Sequence, residues 1–293
     1  MSDWDGRSKG SVLGYKIFVF CIKNIGIKSS YFILFFVALY YFLFQFKSNK
    51  YITYFYRKRL EYPYFKAKKA LFGNYYVFGK TLIDRVAIGS GMRHKFTYEF
   101  DGVNILQRFL SEKKGGILIS AHIGNFELAE YFFQDIDFEG QINLVTTDSE
   151  HRAIKNYLES VALKSSIKFI LIQEDLSHIF QINQALAKNE LICFTGDRYL
   201  QGTKSLTTNF LGKEAHFPAG PFLLASRLQV PVAYVYVMKE TNTFYHLYTR
   251  EATVKHRDAQ ALLENYVESV TGMIYKYPLQ WFNYFDFWSV FKK

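Results

Sequence analysis

From residue 115 onward, short apolar runs alternate with longer amphipathic stretches, and this alternation constrains the fold more than any other feature of the chain. GILISA (116–121), INLVTT (142–147), KFILI (168–172), LICFT (191–195) and VPVAYVYVM (230–238) read as strands. Asn125–Phe133 reads as the opening of a helix, and His151–Leu163, Leu176–Lys188 and Pro218–Gln229 read as helices. Strands that are apolar along their whole length are covered on both faces, and strands separated by helices pair in parallel. The expected fold class is α/β, a mainly parallel sheet flanked by helices and preceded by an N-terminal hydrophobic membrane helix. Thr243–Thr249 reads as a hairpin partner of the strand at 230–238, and Asp258–Tyr277 as a closing helix. Residues 50–110 read as mainly helical and residues 196–217 as a loop rich in Gly, Thr, Lys and Asn.

The N-terminal helix rests on Ser29–Phe46, SSYFILFFVALYYFLFQF, which carries no charge and is flanked by Lys28 and Lys47. About 18–20 apolar residues are enough to cross a bilayer as a helix. The run is also rich in tyrosine, which favours the headgroup level, so a helix lying in the interface is an equal option. A buried core helix is the third reading. A cleaved signal peptide is disfavoured, because no small-residue cleavage site follows the run. Downstream stand Lys50, Arg57, Lys58, Arg59, Lys66, Lys68 and Lys69, a cluster that favours the cytoplasmic side for the main body. Residues 1–50 are therefore expected to form a membrane-anchor segment, and residues 51–293 the catalytic domain.

Charge and cysteine content narrow the function classes. The chain of 293 residues carries a net charge of +10 and has a pI of about 9.3. A basic surface serves nucleic acid, anionic lipid or an acidic protein. No zinc pattern, RNP box or GxxxxGK loop is present, so a nucleic-acid partner is not expected. The two cysteines, Cys21 and Cys193, sit in apolar runs and form no disulfide framework or CxxC motif. The histidines lack ligand spacing, so no metal is expected either.

The chemistry concentrates in GILISAHIGNFELAE. A buried strand delivers His122 at its C-terminal end, the edge where open α/β sheets bind ligands. Gly124 allows a tight turn, and Glu127 follows in the first turn of the next helix. A histidine is suited to take a proton near neutral pH, and a carboxylate on its other ring nitrogen would fix the tautomer. Glu127 could reach back for that role. On spacing alone, a purely structural histidine fits the string as well.

HIGNFE resembles the His-x4-Glu box of the lysophospholipid acyltransferase superfamily, in the form found in the late lipid A (lauroyl and myristoyl) acyltransferases. Three further blocks are similar and stand in the family's order: GDR at 196–198, FLGKEAHFPAGPFLLASRLQVPVAYVYVM at 210–238 and YPLQW at 277–281. The resemblance covers roughly residues 10–285. It implies direct acyl transfer with His122 as base and Glu127 as its orienting partner. Gly124 and Asn125 would shape the turn, and Asp197 and Arg198 would stand near the acceptor or the histidine. Arg152 would meet a phosphate or the donor's pantetheine, and Lys213, with Lys204, an anionic headgroup. The donor implied is a thioester of acyl carrier protein, an acidic protein that a basic rim would steer, or acyl-CoA. No other cofactor is implied. The acceptor implied is lipid A or a precursor, at the bacterial inner membrane with the catalytic domain facing the cytoplasm. Two departures keep other acceptors in view: GDR replaces the usual Asp-Gln, and no basic run follows the tryptophan. The alternatives are acylation of an amino-acid lipid, a lysophospholipid or a polyene pigment, or a non-catalytic lipid-binding protein of the same fold.

Overall fold

The apolar runs become the strands of one seven-stranded sheet. The computed structural model describes residues 19–22, 24–129, 131, 140–146, 167–173, 175–199 and 203–291, and the side chain of Glu127 lies outside that set. In chain order the elements are α1 (Ile27–Phe44), α2 (Phe46–Tyr54), α3 (Tyr64–Ala87), β1 (Thr97–Asp101), α4 (Val103–Ser111), β2 (Gly116–Ser120), β3 (Ile142–Thr146), β4 (Lys168–Leu171) and α5 (Ser177–Ala187). There follow β5 (Leu191–Thr195), β6 (Ser205–Phe210), β7 (Lys213–Pro218), α6 (Ala219–Arg227), β8 (Val232–Lys239), β9 (Phe244–Glu251) and α7 (Ala259–Lys276). The sheet order is β1-β9-β8-β2-β5-β3-β4. From β8 to β4 the strands run parallel. β9 turns back antiparallel on β8, as the sequence implies, and β1 lies parallel to β9. The chain is thus α/β with a mostly parallel sheet flanked by helices.

Alternation along each strand splits the core into two layers. Ile117 and Ile119 of β2 face one way, with Ile192, Phe194, Tyr234 and Tyr236, and pack under Phe222 of α6 and Leu262, Leu263 and Tyr266 of α7. Leu118 faces the other way, with Cys193, Leu144, Val237 and Leu247, toward Leu106 and Phe109 of α4. Tyr31 and Leu34 of α1 and Ile83 and Ala87 of α3 belong to this second layer. α1 buries the stripe Ile27, Ser30, Tyr31, Leu34 and Ala38. Its Leu34 fits over Gly79 of α3, where an added Cβ would come within 2.2 Å of Leu34 Cδ1.

One expectation is refined and one corrected. Residues 50–110 are mainly helical, as expected, and also hold the edge strand β1 (Thr97–Asp101). TYEFD carries two acids and shows no apolar run, which hides a half-exposed strand. The expected loop at 196–217 contains the antiparallel hairpin β6–β7. Its turn places Leu211 and Gly212 at φ +52 and +80, the geometry of a type I′ turn with leucine where asparagine usually signals it. The helix expected at Asn125 opens with one 3-10 turn, Phe126–Leu128. The helix expected at His151–Leu163 lies outside the described residues.

Candidate active site

The geometry of the site follows from strand register. β2 and β5 are parallel neighbours with Ser120 opposite Thr195. Two residues beyond that pair, at the C-terminal edge of the sheet, stand His122 and Asp197. Adjacent strands lie about 4.8 Å apart, so these two side chains meet. His122 Nδ1 is 2.7 Å from Asp197 Oδ1, and the His122 backbone N–H donates to Asp197 Oδ2 at 3.0 Å. The Trp281 indole N–H donates to the same Oδ2 at 3.3 Å.

Asp197 is only 3% exposed. Burial alone would raise its pKa, but the charge and hydrogen bonds of His122, with Arg198 beside it, override burial and bring the carboxyl down to about 2. An ionised carboxylate only accepts hydrogen bonds, so it holds the imidazole proton on Nδ1. Nε2 is then the basic nitrogen, on a ring that remains 28% exposed.

The loop after His122 is clamped on both sides. Gly124 has φ +63, and a Cβ there would sit 2.2 Å from Val237 O, so only glycine allows β8 to approach this closely. Asn125 N–H donates to Val237 O at 2.8 Å, and Gly124 N–H to Gln280 O at 2.9 Å. Phe282 N–H donates to His122 O at 2.9 Å. The Asn125 side chain turns away from the sheet edge and donates to Thr81 O of α3 at 2.9 Å. Asn74, also on α3, donates to both Leu279 O and Trp281 O at 3.0 Å. The loop after His122, α3 and segment 279–282 therefore fix one another.

Of the residues singled out in the sequence, His122, Gly124, Asn125, Asp197 and Arg198 converge on this segment. Arg198 donates to Phe282 O at 2.6 Å and lies over the Phe285 ring. Lys213 opens β7 opposite Phe210, and Lys204 stands exposed before β6. Neither takes part in the hydrogen bonds described at His122. Arg152 lies outside the described residues. The carboxylate at Nδ1 is Asp197 and not, as the resemblance implies, Glu127, whose backbone lies in the 3-10 turn Phe126–Leu128. Sequence reasoning also missed Trp281, Gln280 and Thr81. The Pro-x-x-Trp block was the available signal for the first two. Among the described residues, no group of three His, Cys, Asp or Glu is placed to hold a metal.

An apolar pocket begins at the same edge. Phe126 and Ala129, from the turn after His122, line it together with Leu118, Leu144, Cys193, Val237 and Leu247 of the sheet. Its lining is almost wholly hydrocarbon, and at about 30 Å³ it would have to widen to take an alkyl chain.

The profile of one family, described as bacterial lipid A biosynthesis acyltransferase, matches residues 66–288, a span that holds the His122–Asp197 pair and its clamp. The chain belongs to this family. A lipid A acyltransferase takes an acyl donor and a lipid acceptor. No curated protein matches the chain in sequence. The matched part of the chain begins within α3, so α1 and α2 precede it.

Proposed function

We propose that His122 is the general base of direct acyl transfer from an acyl-carrier-protein thioester to lipid A or a lipid A precursor. Nε2 takes the proton of an acceptor hydroxyl or amine, and the freed oxygen or nitrogen attacks the thioester carbonyl. The C–S bond breaks as the tetrahedral intermediate collapses, and the departing thiolate recovers the proton from the imidazolium. Asp197 holds the ring and balances the positive charge. Glu127 is retained as the second carboxylate of the box, acting on the reacting groups. Gly124 and Asn125 shape the floor of the site, Arg198 sets its rim through Phe282, and Lys213 meets an anionic headgroup. Arg152 contacts the phosphate or pantetheine of the donor. The reaction needs no metal and no cofactor beyond the thioester.

The observation that carries this reading is the buried, ionised Asp197 on His122 Nδ1 at the C-terminal edge of the sheet. Residues 1–50 act as the membrane-anchor segment. The enzyme works at the cytoplasmic face of the inner membrane, where acyl carrier protein is available. Support for this placement comes from α1, which is apolar over 18 residues with 28% of them buried.

The test is lipid mass spectrometry of cells lacking the gene, complemented with the wild-type or the His122→Ala form. One lipid class should lose a single acyl mass, restored by wild type alone. Restoration by His122→Ala would refute the mechanism. Purified enzyme given acyl carrier protein thioester or acyl-CoA in parallel then decides the donor.

A further inference from the structure

α1 has two apolar faces. One packs on α3 through contacts spread along its length. Phe35 meets Phe72 and Tyr76 edge-on, Tyr41 lies against Tyr75, and the Tyr76 hydroxyl donates to Tyr31 O. The opposite face carries Phe32, Phe36, Tyr40 and Leu43 at i, i+4, i+8 and i+11, each about half or more exposed. Helical spacing aligns these four in one stripe pointing away from the protein.

α3 is in turn fastened to the catalytic body along the stretch that α1 covers. Asn74 holds the backbone of Leu279 and Trp281, and Thr81 O holds Asn125. Asp84 is buried against Lys239 and accepts hydrogen bonds from Tyr31 of α1 and Tyr245 of β9. If α1 crossed a bilayer, it would either leave these partners or carry α3 and the active-site loop into hydrocarbon. α3 bears Lys66, Lys68, Lys69, Lys80 and Arg85, and such charges are strongly disfavoured there.

We infer that α1 lies flat in the surface of an anionic bilayer, with Phe32, Phe36, Tyr40 and Leu43 immersed at the headgroup–acyl boundary. This deepens the membrane placement proposed above and rests on it. The occupant is a bilayer rather than a protein, because the apolar stripe is bounded by cations. Lys28 is exposed at the start of α1, and Lys47, Lys66, Lys68 and Lys69 stand near its other end. Lys66 and Lys68 lie over the rings of Tyr62 and Tyr64, an amphipathic pairing typical of headgroup depth.

Cysteine accessibility decides between lying flat and crossing. The native Cys21 and Cys193 are buried and stay silent. Lys28→Cys and Lys47→Cys, expressed singly in a bacterium, are exposed to a membrane-impermeant maleimide in intact spheroplasts and in inverted vesicles. Flat binding predicts that both sites react in inverted vesicles and neither in spheroplasts. Reaction of either site in spheroplasts would overturn the inference while leaving membrane association intact. Flotation with vesicles of phosphatidylethanolamine and phosphatidylglycerol tests the surface itself. The Phe32→Ser, Phe36→Ser form should bind them about tenfold or more weakly, with an unchanged circular dichroism spectrum. Binding equal to wild type would also overturn the inference. Failure of the wild-type protein to float would remove the membrane reading and the inference together.

Discussion

The indole N–H of Trp281 donates to Asp197 Oδ2, the carboxylate whose other oxygen holds His122 Nδ1. Trp281 is 2% exposed and makes edge-to-face contacts with Phe55, Phe210 and Phe287. The pair at the sheet edge is therefore braced by the aromatic core, and Trp281 acts as a positioning residue. Trp281→Phe keeps most of the packing and removes the donor. It should lower kcat about tenfold, leave KM for the thioester near wild type, and cost about 1–3 kcal/mol of stability. Equal losses in kcat and in folded fraction would mark Trp281 as merely structural.

Asp197→Asn separates the role of this carboxylate from that of Glu127. Loss of the charge, with no guarantee of the right tautomer, should reduce kcat by about 10³–10⁴, the size seen when the carboxylate of a Ser-His-Asp triad is removed. Glu127→Gln should also be strongly impaired. The double variant should be no worse than His122→Ala, since residues that act as a unit are not additive. Near-normal turnover by Glu127→Gln would leave Asp197 as the one carboxylate partner of the base.

The depressed pKa of Asp197 has a consequence for acid stability. The folded value of about 2 lies below the ordinary carboxylate value of about 3.9. The resulting stabilisation is fully present above about pH 4 and is lost as the pH falls through about 2. Its size is about 2 kcal/mol. Denaturation in detergent at several pH values should show the wild-type advantage over Asp197→Asn shrinking across that window. An advantage constant down to pH 2 would contradict the assignment.

Chain length should respond to the pocket wall. Leu144 of β3 lies about mid-strand on the pocket face. Leu144→Trp fills space that an alkyl chain would use, so the lipid product should carry a shorter acyl group, at a stability cost of about 1–3 kcal/mol. An unchanged product mass would move the acyl chain elsewhere.

The ion pair between Asp84 and Lys239 has side chains exposed by 0% and 5%. Lys239→Met leaves a buried carboxylate without a counter-charge and should cost about 3–5 kcal/mol. Combining it with Asp84→Asn should restore a large part, because asparagine carries no charge, its Oδ1 still accepts from Tyr31, and its Nδ2 can donate to the Tyr245 hydroxyl oxygen. Thermal unfolding of the single and double variants reads the difference directly.

The parallel strands were legible because their signal is local. LICFT and INLVTT differ from β5 and β3 by at most one residue at an end. β1 and the β6–β7 hairpin were not, because their alternation is mostly polar and the Leu211–Gly212 turn carries no asparagine or aspartate. The histidine could be found from one string. Its partner could not, because Asp197 lies 75 residues away and reaches His122 only through the pairing of β2 with β5. Had GILIS and LICFT been set side by side in parallel, the two residues following each would have met.

The clamp formed by Gln280, Trp281 and Phe282 gives the enzyme an order of events during synthesis. α1 leaves the ribosome before the strands that carry the site. The histidine loop follows, and its carboxylate follows that. Until segment 280–282 arrives, the Gly124 and His122 backbone bonds and the indole brace are all missing. A growing chain that stops short of this segment therefore lacks the braces of the histidine loop. They close only after Phe282 has been made, which turns the distance between Trp281 and His122 in sequence into a form of timing.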